Sequence, residues 1–213
     1  MTWDDVLAAM PLVAVLRGVD PVTAPGVAAA LSDEGILCVE VTLNSPDPLA
    51  SIAAIRERLG SQILVGAGTV LNADDVRDAI AAGAEIIVSP DASPAVIETT
   101  KAAGATSLPG IFTPTEAFAA LRAGADALKL FPAEASSPAA LRAMRAVLPQ
   151  GTAVLPVGGI EPEAMGPWRV AGAAGFGVGS AVYRPNLKVD EVRDRARAFV
   201  SAWRRLQSPG ELA

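Results

Sequence analysis

The 213-residue sequence contains no histidine. That excludes Ser-His-Asp and Cys-His hydrolytic machinery and every histidine metal ligand. Any proton transfer must fall to carboxylate, lysine, tyrosine, cysteine or water. Cysteine occurs once, as Cys38, so no disulfide can form within the chain. Lysine and arginine number 17 against 23 acidic residues, and no basic block occurs anywhere. This argues against nucleic acid as a partner, because binding it needs a clustered cationic face. No apolar segment approaches the ~20 residues that span a bilayer. The start, Met1-Thr2-Trp3-Asp4-Asp5, lacks the basic and then apolar pattern of a signal peptide. No membrane partner is expected, and the chain reads as soluble and cytoplasmic. Linkers and low-complexity stretches are also missing, so residues 1–213 read as one domain.

What remains is a regular alternation of short β-rich runs with alanine-rich helical stretches. The β-rich runs are Leu12–Leu16, Ile36–Leu43, Ile63–Val65, Ile86–Val88, Ala105–Leu108, Ala125–Phe131, Ala153–Val157 and Gly175–Val178. The helical stretches between and after them begin with Ala24–Glu34 and Pro48–Leu59 and end with Asp190–Leu206. Several end in a glycine, as at Gly35, Gly83 and Gly124, the residue that most easily takes the left-handed turn past a last helical residue. Eight strand–helix units in series imply parallel strands with right-handed crossovers. The expected fold is a (β/α)8 TIM barrel, with a short N-terminal helix over residues 2–9 covering its bottom. An open doubly wound sheet is the alternative.

Lysine is scarce, and of Lys101, Lys129 and Lys188 only Lys129 sits in an apolar run, Ala127-Leu128-Lys129-Leu130-Phe131-Pro132. Desolvation penalises its charged form and is expected to lower its pKa. A neutral amine attacks carbonyls and an ammonium does not. Bringing a lysine near pKa 7 costs ~4–5 kcal/mol, at ~1.36 kcal/mol per unit. Strand parity supplies its neighbours. Cys38, Glu40, Thr42 and Asn44 share one face of the second run, and Val39, Val41 and Leu43 take the helix-facing side. Ala127, Lys129 and Phe131 share a face of the sixth, and Arg17 ends the first on the inward side. One carboxylate, one lysine and one arginine are thus expected to converge near the C-terminal ends of the strands, where this fold keeps its chemistry.

Blander readings stand beside these. Glu40 and Lys129 could be a structural ion pair, although buried pairs are weak stabilisers and costly to keep. Arg17 could pair with a nearby acid instead of a substrate. Cys38 lies deeper and reads as a core thiol. Glu85 and Asp126 lie near strand starts and read as bottom-face caps. Two glycine-rich turns, Val157-Gly158-Gly159-Ile160 and Gly177-Val178-Gly179-Ser180, follow the last two strands, a frequent phosphate site in this fold. Gly66-Ala67-Gly68-Thr69 reads as a third such turn.

Four segments, Glu40-Val41-Thr42-Leu43, Gly66-Ala67-Gly68-Thr69-Val70-Leu71, Leu128-Lys129-Leu130-Phe131-Pro132-Ala133 and Val157-Gly158-Gly159-Ile160, resemble the 2-keto-3-deoxy-6-phosphogluconate/-galactonate aldolase family, in order and over nearly the whole chain. The resemblance implies a class I aldolase needing no metal or other cofactor. It would cleave a six-carbon 2-keto-3-deoxy-6-phospho sugar acid to pyruvate and glyceraldehyde 3-phosphate. It further implies Lys129 as Schiff-base nucleophile and Glu40 as proton shuttle. Arg17 and Thr69 would hold the pyruvate-end carboxylate, Pro90 and Phe131 would line the pocket, and Gly158, Gly159, Gly179 and Ser180 would hold phosphate. A homotrimer is the family's usual assembly. Asn44-Ser45-Pro46 in place of an arginine, and Val157 in place of a threonine, resemble the galactonate-type branch. A gluconate-type or 4-hydroxy-2-oxoglutarate aldolase, and a non-catalytic barrel binding phosphorylated ligands, are the competing readings.

Overall fold

The computed structural model describes residues 1–207. The chain begins with α1 (Trp3–Ala9), started by a reciprocal capping box in which Thr2 and Asp5 satisfy each other's backbone N–H groups. It then alternates through β1 (Leu12–Leu16), α2 (Ala24–Glu34), β2 (Cys38–Thr42), α3 (Pro48–Leu59), β3 (Leu64–Gly68), α4 (Ala73–Ala81), β4 (Ile86–Val88), α5 (Pro94–Ala102), β5 (Thr106–Leu108), β6 (Gly110–Ile111), α6 (Pro114–Arg122), β7 (Leu128–Leu130), α7 (Pro138–Arg145), β8 (Val154–Pro156), α8 (Met165–Val170), β9 (Phe176–Val178) and α9 (Val189–Gln207).

All strand pairings are parallel, in a six-stranded sheet ordered β5-β4-β3-β2-β1-β9 and a three-stranded sheet ordered β6-β7-β8. The expected single eight-stranded ring is therefore divided in its ladder. One division falls at Pro109, which has no N–H to give and separates β5, within the fifth run, from β6, a strand not expected from the sequence. Across it the Lys129 N–H still donates to the Pro109 carbonyl at 2.9 Å, and Asp126 to Ser107 at 3.0 Å. The other falls between β8 and β9, where Val157 makes an isolated parallel bridge with Gly177. The result is a curled parallel sheet with helices packed on its outer side.

Parity sets the two cores. Outward residues such as Leu12, Ala14, Leu16, Val39 and Val41 pack beneath Leu31, Ile52, Ile55 and Phe199 of the helices. Each such buried aliphatic or aromatic side chain contributes roughly 1.5–3 kcal/mol. Inward residues Val13, Cys38, Leu64, Ile86, Leu108 and Leu155 form a second cluster with Trp3 and Val6 of α1, which closes the bottom of the sheet as expected.

Several bounds differ from expectation. Gly66-Ala67-Gly68 is not a turn but the end of β3, in register with Glu40, Val41 and Thr42. The sixth run narrows to Leu128–Leu130 because Asp126 is used as a cap: its carboxylate accepts the Ser107 N–H at 2.8 Å and pairs with Lys101. The segment from Pro162 forms a 3-10 turn and then the short α8, in which Pro167 lacks an N–H to continue the ladder.

Candidate active site

Lys129 stands at the centre of β7 and Glu40 at the centre of β2, both facing inward. The sequence isolates them there: Leu128 and Leu130, like Val39 and Val41, fill the outer core and leave the alternate side chains no other direction. Lys129 is 7% exposed and Glu40 is 1% exposed. Nζ lies 3.8 Å from Oε1, within ion-pair reach but beyond a hydrogen bond. Nζ also lies 5.1 Å from the centroid of the Phe131 ring. The other carboxylate oxygen, Oε2, is buried without a hydrogen-bond partner among the described residues. Burial pushes the Glu40 carboxyl above its ordinary range, with Lys129 and then Arg17 pulling in the opposite direction. A buried acceptor with nothing to accept is costly, so it calls for a function. Here it lies against the bare backbone of Gly68, while Oε1 faces the amine.

Above the pair opens a cavity of about 180 Å³. Lys129, Arg17, Phe131, Val157 and the backbone-rich corner of Gly158, Gly159, Gly179 and Ser180 all line it. Expected residues from four strand ends thus come together. Arg17 donates from Nη1 to Asn44 Oδ1 at 2.9 Å and has no acidic partner among the described residues, so an ion pair does not explain it. Val157 is buried, and its methyls lie against the bare Gly177.

Thr69 and Pro90 are placed differently. Neither is among the residues lining this cavity, and neither is Glu40, which lies behind Lys129. Thr69 follows Gly68 with a left-handed φ of 58°, a strained conformation for a β-branched residue of the kind that clusters at active sites. Pro90 follows β4, with its carbonyl packed against Gly110.

Two acidic residues were not anticipated. Glu134, in the 3-10 turn after the lysine strand, lays its carboxylate over Gly158, and Glu161 follows the paired glycines; both line the cavity. The available signal was position alone, since each directly follows a segment already of interest.

The remaining titratable groups of the interior lie elsewhere. Cys38 belongs to the bottom cluster, where burial first and Glu40 second push its thiol up. That is the environment of an inert core thiol. Glu85 pairs with Arg56 at 2.6 Å and Asp126 with Lys101 at 2.6 Å, away from the cavity. Among the described residues no group of three or more His, Cys, Asp or Glu is placed to hold a metal ion. No described helix is long and apolar enough to cross a membrane.

The family model for KDPG and KHG aldolase matches residues 3–197. The chain is 44% identical over 204 residues to the 2-dehydro-3-deoxy-6-phosphogalactonate aldolase of Escherichia coli (strain K12), covering 96% of this chain and 98% of that protein. It is 42% identical over 193 residues to the probable 2-dehydro-3-deoxy-6-phosphogalactonate aldolase of Rhizobium meliloti (strain 1021), covering 91% of each. A solved structure of native KDPGal superposes with a TM-score of 0.93 at 42% identity, covering 97% of this chain and 99% of that one.

Proposed function

The chain belongs to the KDPG and KHG aldolase family, and on that premise we propose that it is a class I aldolase that cleaves 2-dehydro-3-deoxy-6-phosphogalactonate to pyruvate and glyceraldehyde 3-phosphate. The observation that carries this reading is the buried Lys129–Glu40 pair, 3.8 Å apart with one carboxylate oxygen unpartnered. A lysine amine and one shuttling carboxylate are the two groups that Schiff-base cleavage needs.

In this reading the Lys129 amine adds to the C2 carbonyl. Loss of water leaves an iminium conjugated to the breaking bond. Glu40 takes the C4 hydroxyl proton as the C3–C4 electron pair flows into the iminium. Glyceraldehyde 3-phosphate leaves, and an enamine of pyruvate remains on Lys129. Glu40 returns its proton to C3, and water releases pyruvate. A carboxyl whose pKa is raised by burial holds a proton more readily than an exposed one, which suits both halves of that transfer. Arg17 is the cation for the pyruvate-end carboxylate, with Thr69 beside it and Pro90 and Phe131 shaping the pocket. Gly158, Gly159, Gly179 and Ser180 offer backbone and hydroxyl donors to the phosphate. Val157 favours the galactonate epimer by denying a hydroxyl to the other configuration at C4.

The sheet linkages through Val157–Gly177 and Lys129–Pro109 support a closed eight-stranded barrel of a single domain. A homotrimer working in the cytoplasm is the assembly and place that fit this family. Borohydride reduction in the presence of pyruvate tests the central step. The expected result is a covalent adduct on the Lys129 peptide, and an unmodified peptide overturns the reading. Turnover of the two C4 epimers tests the substrate, and equal rates overturn the galactonate preference.

A further inference from the structure

The Lys129 cavity, at about 180 Å³, is smaller than the ~300–1,000 Å³ of sites that hold small ligands. It continues past Gly179 and Ser180 into a second cavity of about 370 Å³ that also shares Val15 and Arg17. The charges lining the two differ. On the Gly158–Gly159 side of the first stand the carboxylates of Glu134 and Glu161. The second cavity has no carboxylate in its wall, and its charged groups are Arg17 and Arg184. Among the described residues Arg184 has no ion-pair partner.

The chain after β9 makes this placement. The N–H groups of Val182 and Tyr183 both return to the Gly179 carbonyl at 2.9 Å, which winds residues 180–182 into a turn. Ser180 lies in this turn and Arg184 just past it, and both line the second cavity. Tyr183 is buried and lines the same cavity. A larger cavity of about 540 Å³ also includes Ser180 and Arg184, together with Arg195, Glu161 and Glu163, but its arginine at 195 is already spent on the Ala181 carbonyl at 3.1 Å.

We propose that Arg184 is a phosphate-binding cation of this site, reaching from the second cavity to the phosphoryl group held at Gly179 and Ser180, the two phosphate residues that the cavities share. The proposal rests on the aldolase reading for its ligand. A planar guanidinium binds phosphate oxygens in a fork, and such charge-assisted contacts are the strong ones. With two carboxylates on the opposite wall, the glycine turns alone leave a dianion uncompensated. Arg184 offsets that imbalance from outside the Lys129 cavity.

The test uses the full-length protein and Arg184→Met, run in the condensation direction with pyruvate. The ratio of kcat/KM for glyceraldehyde 3-phosphate over unphosphorylated glyceraldehyde is expected to fall about 10- to 100-fold in the variant. Arg184→Lys, which keeps charge but not the fork, is expected to recover part of that ratio. An unchanged ratio in both variants overturns the proposal. Calorimetric titration of inorganic phosphate gives an arm independent of turnover: weaker binding to either variant supports the assignment, and equal binding overturns it. Pyruvate trapping on Lys129 in the unsubstituted protein separates the two readings. Its absence defeats the aldolase assignment, whereas trapping with an unaltered phosphate preference defeats only the role of Arg184.

Discussion

Gly68 has no side chain where the Glu40 carboxylate stands: a Cβ built on Gly68 overlaps Oε2 and crowds the carboxyl carbon. Glu40 and Gly68 lie on adjacent strands, with Gly68 paired to Thr42 one inward step above Glu40. The glycine is thus a vacancy shaped for a carboxylate. Its backbone is extended, so alanine there is a steric change and not a conformational one.

Gly68→Ala is therefore expected to displace Glu40 from its position beside Lys129. Overpacking of this kind costs about 1–3 kcal/mol of stability. The larger effect should fall on proton transfer, with kcat reduced by about 10²-fold or more, as misplaced general acid–base groups lose their advantage. Denaturant midpoints and kcat measured on one preparation check this. The borohydride adduct with pyruvate should persist, because Lys129 itself is not moved by the new methyl. A variant with full kcat would show that Glu40 does not need this seat.

Glu40→Gln separates the role of the carboxylate from its place. The folded pKa of Glu40 is raised above the ordinary value of 4.5. Between the two values the native chain binds more protons than the unfolded one, so this group's contribution to stability is lost as pH rises. Below the ordinary value both states are protonated and no penalty exists. Glutamine carries no such proton. The stability of Glu40→Gln relative to the unsubstituted protein should thus grow between pH 4 and pH 8, read from urea midpoints, while kcat falls about 10²- to 10⁴-fold. A difference independent of pH would mean that Glu40 is not held above its ordinary range.

Parity made the core of the site legible from residues alone. Lys129 and Glu40 alternate against Leu128, Leu130, Val39 and Val41, and only one arrangement buries the apolar set under the helices. The cap at Gly35, with φ of 104°, was legible because an L side chain is strained there. The failures share a cause in tertiary context. Gly66 and Gly68 look like turn residues locally, yet the strands on either side recruit them into β3, where a side chain would strike Ile86 or Glu40. β6 was missed because Pro109 and Gly110 punctuate the run locally, while pairing with Lys129 and Leu130 restores the strand. Glu134 has no periodic signature, since it sits in a three-residue 3-10 turn and in neither a helix nor a strand.

The opposite end of the sheet supplies a contrast. Asp126 accepts from the Ser107 N–H at 2.8 Å and from Lys101 at 2.6 Å, with the pair about one-third exposed. Exposed pairs contribute about 0–1 kcal/mol and a capping hydrogen bond to a charged group somewhat more. Asp126→Asn is expected to cost about 1–2 kcal/mol in urea unfolding and to leave kcat/KM within twofold. A loss of turnover out of proportion to stability would mean that the bottom cap communicates with Lys129.

Val157 tests substrate choice. It follows β8 with its side chain in the Lys129 cavity and its methyls against Gly177, so it can contact the middle of a substrate bound to Lys129. Threonine has nearly the same outline, and the bare Gly177 leaves space for either rotamer of its hydroxyl. A substrate hydroxyl pressed on valine loses its water partner without replacement, whereas threonine can accept or donate to it. Val157→Thr should accordingly raise the gluconate-to-galactonate ratio of kcat/KM by about 2- to 10-fold, the worth of one neutral hydrogen bond. Because both epimers pass through the same Lys129 adduct, the change should appear in cleavage and not in the rate of pyruvate trapping. An epimer ratio that does not move would place the choice elsewhere on the cavity wall.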